Sequence, residues 1–206
     1  MIQPRVHTGG IAATNAYLLT LPGGTLVIDA PEGTADWLRR LGVRPDVLLL
    51  THQHFDHVMD AAALKREFGC RIVAWSAYSR DLTLELLFSA VSGMSVNVPP
   101  FEVDDVLEGK STLEAAGEVW SLLHIPGHSP DSVCFHHEEE KTVFGGDVLF
   151  ESGVGRTDFP GGSHTRLITG IVEKLMPLDD ATVVFPGHGD STTIGAERMG
   201  NPYLEL

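Results

Sequence analysis

Three histidines and an aspartate lie within six residues in Thr51-His52-Gln53-His54-Phe55-Asp56-His57. Imidazole nitrogen and carboxylate oxygen are donors that a divalent cation such as zinc accepts. The motif follows directly on the apolar run Val47–Leu50, and the loop after a strand's carboxyl end is a common place for a site in α/β proteins. Alternate residues of an extended segment point the same way, so His52 and His54 can share one ion. Asp56 and His57 come where the chain turns towards a helix and can face a second ion. A polar loop that is rich in histidine by chance accounts for one such residue; three with an aspartate disfavour it heavily.

Three more metal-type side chains sit beside glycine at the ends of predicted strands: His128 in Pro126-Gly127-His128-Ser129, Asp147 in Gly145-Gly146-Asp147, and His188 in Pro186-Gly187-His188-Gly189. Glycine lets the backbone turn tightly and lets a ligand approach closely. Each reads singly as a strand-end turn; together with the first motif they supply the ligands needed to close two metal sites. A water held between cations about 3.5–4 Å apart ionises near neutral pH and becomes a nucleophile aimed by geometry. No serine or cysteine triad of comparable quality competes. Asp131 and Ser132 lie near His128, but a metal-bound histidine is a poor general base.

The elements that must position these residues are legible in outline. Asn15–Leu21 and Thr25–Ala30 read as paired strands around the turn Pro22-Gly23-Gly24. Thr34–Leu41 reads as a helix with Trp37, Leu38 and Leu41 on one face. Asp46–Leu50 is a strand buried on both sides, followed by a helix over Asp60–Phe68 with Asp60 as a possible cap and a strand over Arg71–Trp75. Leu82–Val91 is a candidate helix and Met94–Phe101 a loop. Glu118–Ile125, Ser132–His137, Thr142–Phe144 and Ala181–Phe185 are strands. Thr165–Met176 is a helix with Leu167, Ile168, Ile171, Val172 and Leu175 on one face, and Thr192–Met199 is a last helix. Strands followed by strand–helix units in both halves predict an α/β fold of two sheets packed face to face, with helices outside both.

With 206 residues, of which 43% are hydrophobic, the chain can form a sizeable core. A net charge of −14 works against nucleic acid and against anionic membrane as partners. Cys70 and Cys134 have no metal-ligand or redox spacing and read as small buried hydrophobes. Neither a secretory leader nor a membrane-spanning run is apparent, so a cytoplasmic protein is expected.

His52, His54, Asp56 and His57 in an HxHxDH motif, followed by a distant His, Asp and His, resemble the metallo-β-lactamase superfamily across essentially the whole chain. The segment Gly155-Arg156-Thr157-Asp158-Phe159 resembles the glyoxalase II-like branch and persulfide dioxygenases. The resemblance implies a single domain over residues 1–206 with a four-layer αββα sandwich of two mixed sheets. It implies a first metal on His52, His54 and His128, a second on Asp56, His57 and His188, and Asp147 bridging both. Asp29, in Val27-Ile28-Asp29, corresponds to an outer carboxylate that supports the ligands.

The expected cofactor is a pair of divalent ions, zinc first, with iron or manganese as alternatives. The expected activity is hydrolysis of a small thioester or ester by a metal-bridging hydroxide that Asp56 orients. The alternatives are a persulfide dioxygenase with one iron on His52, His128 and Asp147, a lactonase or other ester hydrolase, and, less favoured, a β-lactamase. Arg156 is the candidate substrate-binding cation, with an ion pair to Asp158 as its competing role. His7, His136, His137 and His164 are expected at the surface or in packing, and His124 on an unassigned face. The short stretch after His188 leaves no room for the helical region with which glyoxalase II grips glutathione, so glutathione thioesters are expected to bind weakly.

Overall fold

The computed structural model describes residues 2–204. In chain order the first half contains β1 (Arg5–Gly9), β2 (Thr14–Leu21), β3 (Gly24–Ile28), α1 (Thr34–Leu41), β4 (Val47–Leu49), α2 (Phe55–Val58), α3 (Ala61–Phe68), β5 (Arg71–Ala74), α4 (Arg80–Thr83), α5 (Glu85–Ser92) and β6 (Asp105–Val106). The second half contains β7 (Thr112–Ala115), β8 (Glu118–His124), β9 (Val133–His137), β10 (Thr142–Gly146), β11 (Leu149–Phe150), β12 (Gly153–Val154), α6 (His164–Lys174), β13 (Val183–Pro186), β14 (Thr192–Thr193) and α7 (Ile194–Gly200).

Two six-stranded sheets carry the architecture, in the orders β1-β2-β3-β4-β5-β6 and β14-β13-β10-β9-β8-β7. Both are mixed. In the first, β3 to β6 run parallel after an antiparallel meander. In the second, β10 and β13 are the parallel pair among antiparallel neighbours. This is the predicted αββα sandwich.

Strand alternation sorts the apolar residues into three layers. Leu19, Leu26, Ile28, Leu49 and Val73 point inward and meet Trp120, Leu122, Phe135 and Phe144 of the second sheet. Their neighbours Leu18, Val27, Leu48 and Ile72 point outward onto Leu38 of α1 and Leu64 of α3. On the far side Cys134, Val143 and Val184 pack beneath Leu167 and Ile171 of α6 and Ile194 of α7. The unbroken hydrophobicity of Val47–Leu50 follows from this: its strand is covered on both faces. Cys70 and Cys134 are buried and free, as expected.

Three expectations need correction. Leu82–Val91 is not one helix: the chain breaks at Leu84, whose φ of 56° is left-handed, into α4 and α5. Glu85 follows the break directly. Its buried carboxylate pairs with Arg80 and accepts from the Val98 amide, which anchors α5 against the following loop. Strands β1 and β7 were not anticipated, because they are edge strands with polar or short patterns. Asp60 stands at the N-terminus of α3 but does not cap it with its side chain.

The Asp60 carboxylate instead accepts from the amides of Gly33 (3.1 Å) and Ala35 (2.9 Å) at the start of α1. It thereby does for a neighbouring helix what an N-cap residue does for its own. No helix among the described residues is long and apolar enough to cross a membrane. Asp60→Ala is expected to lower stability by about 1–2 kcal/mol through loss of this cap. Urea unfolding checks it; an unchanged midpoint would show that solvent replaces the carboxylate.

Candidate metal centre

All seven ligand-type residues come from segments that follow strands. His52 and His54 lie in the extended segment after β4, Asp56 and His57 in the short α2, His128 after β8, Asp147 directly after β10, and His188 after β13. They converge at one edge of the sandwich. His52, His54 and His128 form one group whose ligand atoms lie within 4.8 Å of one another, and Asp56, His57 and His188 form another. His52, His57 and Asp147 form a third that joins the two. The Oδ1 atom of Asp147 is 3.3 Å from His57 Nε2, while its Oδ2 is 3.4 Å from both His128 Nε2 and His188 Nε2.

The ring orientations are set from outside. His57 Nδ1 lies 2.8 Å from Asp29 Oδ2, His128 Nδ1 2.8 Å from the Arg156 carbonyl, and His188 Nδ1 3.1 Å from the Ala12 carbonyl. In each case an oxygen acceptor holds a proton on Nδ1 and turns Nε2 inward. Asp29 does more. It adopts a left-handed φ of 58° just after β3 and accepts from both the amide and the hydroxyl of Thr51, each at 2.8 Å.

Four buried atoms that face the centre have no hydrogen-bond partner: Nε2 of His52, His57 and His128, and Oδ1 of Asp147. An unpaired buried polar atom costs about 1–3 kcal/mol, and a divalent cation would satisfy all four. The donor set of imidazole nitrogens and carboxylates therefore fits metal ions.

Protonation follows the same geometry. Burial, reinforced by neighbouring imidazoles, keeps His52 and His128 neutral and pushes His54 down to about 3. Burial acts the same way on His57 and His188, but Asp56 and Asp147 outweigh it; they hold His57 well above its ordinary value and His188 at about 10. Burial opposes ionisation of Asp56 too, yet His57, His188 and the Thr14 hydroxyl bring it down to about 2. Metal uptake at the second group must therefore displace protons, whereas the first group is already deprotonated.

Sequence reasoning missed the residues that join the two sheets behind the centre. Thr14 donates its hydroxyl to Asp56 Oδ2 (2.7 Å) and bridges to His188. Asn15 donates from Nδ2 to the Gly189 carbonyl (2.9 Å), and its amide donates to the Gly187 carbonyl (2.7 Å). The Tyr17 hydroxyl donates to the Pro186 carbonyl (2.5 Å). The only signal in the sequence was three polar side chains at the start of an otherwise apolar strand.

Gly187 is required by space: a Cβ there would stand 2.2 Å from Asp147 Oδ1 and 2.6 Å from His57 Cε1. Gln53, between the two paired histidines, is buried and donates to the Ser76 and Ala77 carbonyls.

The remaining residues fall outside the centre. Arg156 pairs with Asp158 at 2.6 Å, and its guanidinium carbon lies 4.2 Å above the Phe159 ring. Its charge is thus committed, as the competing expectation held. His124 stacks on Trp75, with ring centroids 4.0 Å apart. His136 and His137 are buried in packing, His7 is half-buried and stacks on Trp37, and His164 is exposed.

Residues 9–188 match the family model of the metallo-beta-lactamase superfamily, and the chain belongs to that superfamily, as a metal-dependent hydrolase. It is 39% identical over 188 residues to the Hydroxyacylglutathione hydrolase GloC of Haemophilus influenzae, covering 86% of each chain. Among solved structures it superposes on the BLEG-1 B3 metallo-beta-lactamase with a TM-score of 0.86 at 33% identity, covering 99% of this chain and 100% of that one. It also superposes on TTHA1623 in a di-iron-bound form with a TM-score of 0.82 at 34% identity, covering 97% and 100%.

Two outcomes follow from this geometry. Gly187→Ala should fold but displace Asp147 and His57, so that metal analysis after dialysis finds less than the wild-type content; full retention would mean that the loop yields without cost. Asp131 is buried, accepts from the Ser129 hydroxyl at 2.5 Å, and is raised by burial from 3.8 to about 6. The folded state therefore holds a proton that the unfolded chain releases, and this contribution to stability is lost as pH rises from about 4 to 6. Relative to wild type, Asp131→Asn should gain on the order of 2–3 kcal/mol between pH 4 and 7. Parallel unfolding curves at both pH values test this, and a pH-independent difference would refute it.

Proposed function

We propose that this chain is a two-metal thioester hydrolase of the glyoxalase II type. His52, His54 and His128 hold one divalent cation, Asp56, His57 and His188 hold the other, and Asp147 serves both. The observation that carries this reading is the placement of Asp147, with one oxygen beside His57 and the other equidistant from His128 and His188. Zinc is the proposed ion; iron, as in the di-iron form of TTHA1623, and manganese could use the same donors.

Bound cations would supply Lewis acidity at the substrate carbonyl and a water that ionises near neutral pH. The chain's own residues do the rest. Asp56 faces the cavity next to the centre, with Oδ2 fixed by the Thr14 hydroxyl, so its carboxylate can orient the attacking water and receive its proton. Asp29 keeps His57 in one tautomer and one orientation. Water adds to the carbonyl carbon, the carbon–sulfur bond breaks, and acid and thiol are released. A thiolate with a free pKa of roughly 8.5 leaves without strong help from a general acid. The likeness to the hydroxyacylglutathione hydrolase supports thioesters. The likeness to a B3 metallo-beta-lactamase supports a second substrate class, the strained amide of a β-lactam.

Metal quantification with parallel assays separates the readings. The expected result is two cations per chain and thioester turnover that EDTA removes and zinc restores. Turnover of a chromogenic β-lactam alone would move the assignment to the second class, and one iron with oxygen uptake would replace it with a dioxygenase. Asp56→Asn should lower kcat on the order of 10²–10⁴-fold for lost proton transfer, with the first cation retained; unchanged kcat would remove Asp56 from the mechanism.

A further inference from the structure

A second cavity, of about 430 Å³, opens off the metal centre. Its size falls within the range of small-molecule sites, about 300–1,000 Å³. It shares His54, Phe55, Asp56, Phe88, Arg156 and Phe159 with the larger cavity of about 610 Å³ over the ligands, so the two are continuous. Its apolar walls are Phe55, Leu84, Leu87, Phe88, Val91 and Phe159, with Ser92 and the Arg156–Asp158 pair at their margin. The Phe55 and Phe88 rings pack at 4.6 Å between centroids and tie α5 to the residue that precedes Asp56.

This wall is exposed yet firmly held. Leu87 is 37% and Val91 81% accessible on α5, where a helix without a function at this face would carry polar residues. Beneath them the helix is anchored: Glu85 is buried against Arg80 and the Val98 amide, and Ser89 Oγ accepts from the Val96 amide at 3.0 Å. Leu84, at the entrance, adopts a left-handed φ of 56°. That conformation is unfavourable for a bulky side chain and persists where the surroundings impose it. Among the described residues that line the two cavities, Arg156 alone carries a fixed positive charge, and Asp158 neutralises it.

We propose that this cavity is a subsite for an apolar group attached to the reacting carbonyl, so that the enzyme acts on thioesters or esters carrying an aliphatic or aromatic chain. This rests on the hydrolase reading given above. Apolar walls without an unpaired cation suit such a chain and offer nothing to the carboxylates of an anionic carrier. The chain enters between α5 and Phe159, with the carbonyl at Asp56.

Two substrate series test it: acetyl to octanoyl thioesters of one small thiol, and acetyl thioesters of thiols of increasing chain length. In one of them, burial of each added methylene should raise kcat/KM about threefold to fourfold, giving a ratio on the order of 10³ across the six methylenes that separate octanoyl from acetyl. The responding series shows whether the subsite takes the acyl or the leaving side. Leu87→Asp and Val91→Asp, at accessible positions that tolerate charge, should collapse the ratio at least tenfold. Val119→Asp, at an exposed position on β8 away from both cavities, should leave it intact.

Calorimetric binding of a non-hydrolysable thioether series to EDTA-treated protein provides a readout independent of turnover. Acetyl thioester hydrolysis with flat responses in both series overturns the subsite and spares the hydrolase reading. Absence of all hydrolysis, with thioether binding that still tightens with chain length and weakens in the Asp variants, overturns the reaction and spares the subsite. Binding insensitive to chain length overturns the subsite outright.

Discussion

The site depends on one buried carboxylate. Asp29 turns out of β3 with a left-handed backbone and contacts three groups at 2.8 Å: the Thr51 amide, the Thr51 hydroxyl and His57 Nδ1. Those contacts fix the start of the segment that carries His52 and His54 and the ring of His57, six residues after Thr51. The Thr51 hydroxyl also lies 3.1 Å from His52 Nδ1, so the constraint reaches both metal groups. A charge this deep is stable only with several hydrogen bonds, and here they are the same bonds that aim the ligands.

The two sheets meet the site from opposite sides, and neither builds it alone. The first supplies His52, His54, Asp56 and His57; the second supplies His128, Asp147 and His188. Their relative position is set by the apolar core between them and, at the edge, by Thr14, Asn15 and Tyr17 reaching across to Pro186–Gly189. These contacts are polar and nearly all buried, so slippage between the sheets would strand several of them. Packing energy is thereby converted into ligand geometry.

The cavity is divided by chemistry. One wall is made of imidazoles and carboxylates whose unpaired atoms suit cations; the other is made of phenylalanine and aliphatic side chains on α2, α5 and the Phe159 loop. Such an arrangement places bond polarisation at one end and binding energy at the other. Binding energy remote from the reacting atoms is what allows an enzyme to discriminate among substrates with the same reactive group. Arg156 is paired with Asp158 and lies over Phe159, so no unpaired lysine or arginine among the described residues lines the cavities.

The residues able to bind metal were legible in sequence because metal chemistry restricts the side chains and strand ends restrict the spacing. HxHxDH after an apolar strand, and His or Asp beside glycine after three others, pointed to the seven residues that meet, while the alternation of apolar strands and helices pointed to the layered fold. Local sequence could not determine what depends on distant partners. Asp60 was legible as a cap, but the helix start it serves belongs to α1, 25 residues before it in the chain. A helix over 82–91 was legible only as a candidate, and its break at Leu84 accompanies a contact between Glu85 and Val98 that no local pattern announces. The roles of Thr14, Asn15 and Tyr17 exist only because a strand in the first sheet ends opposite one in the second. The apolar subsite likewise joins residues far apart in the chain, Phe55 and Phe88 with Phe159. Donor type and periodicity are properties of neighbouring residues; caps, clamps and cavities are made by residues that only the folded chain brings together.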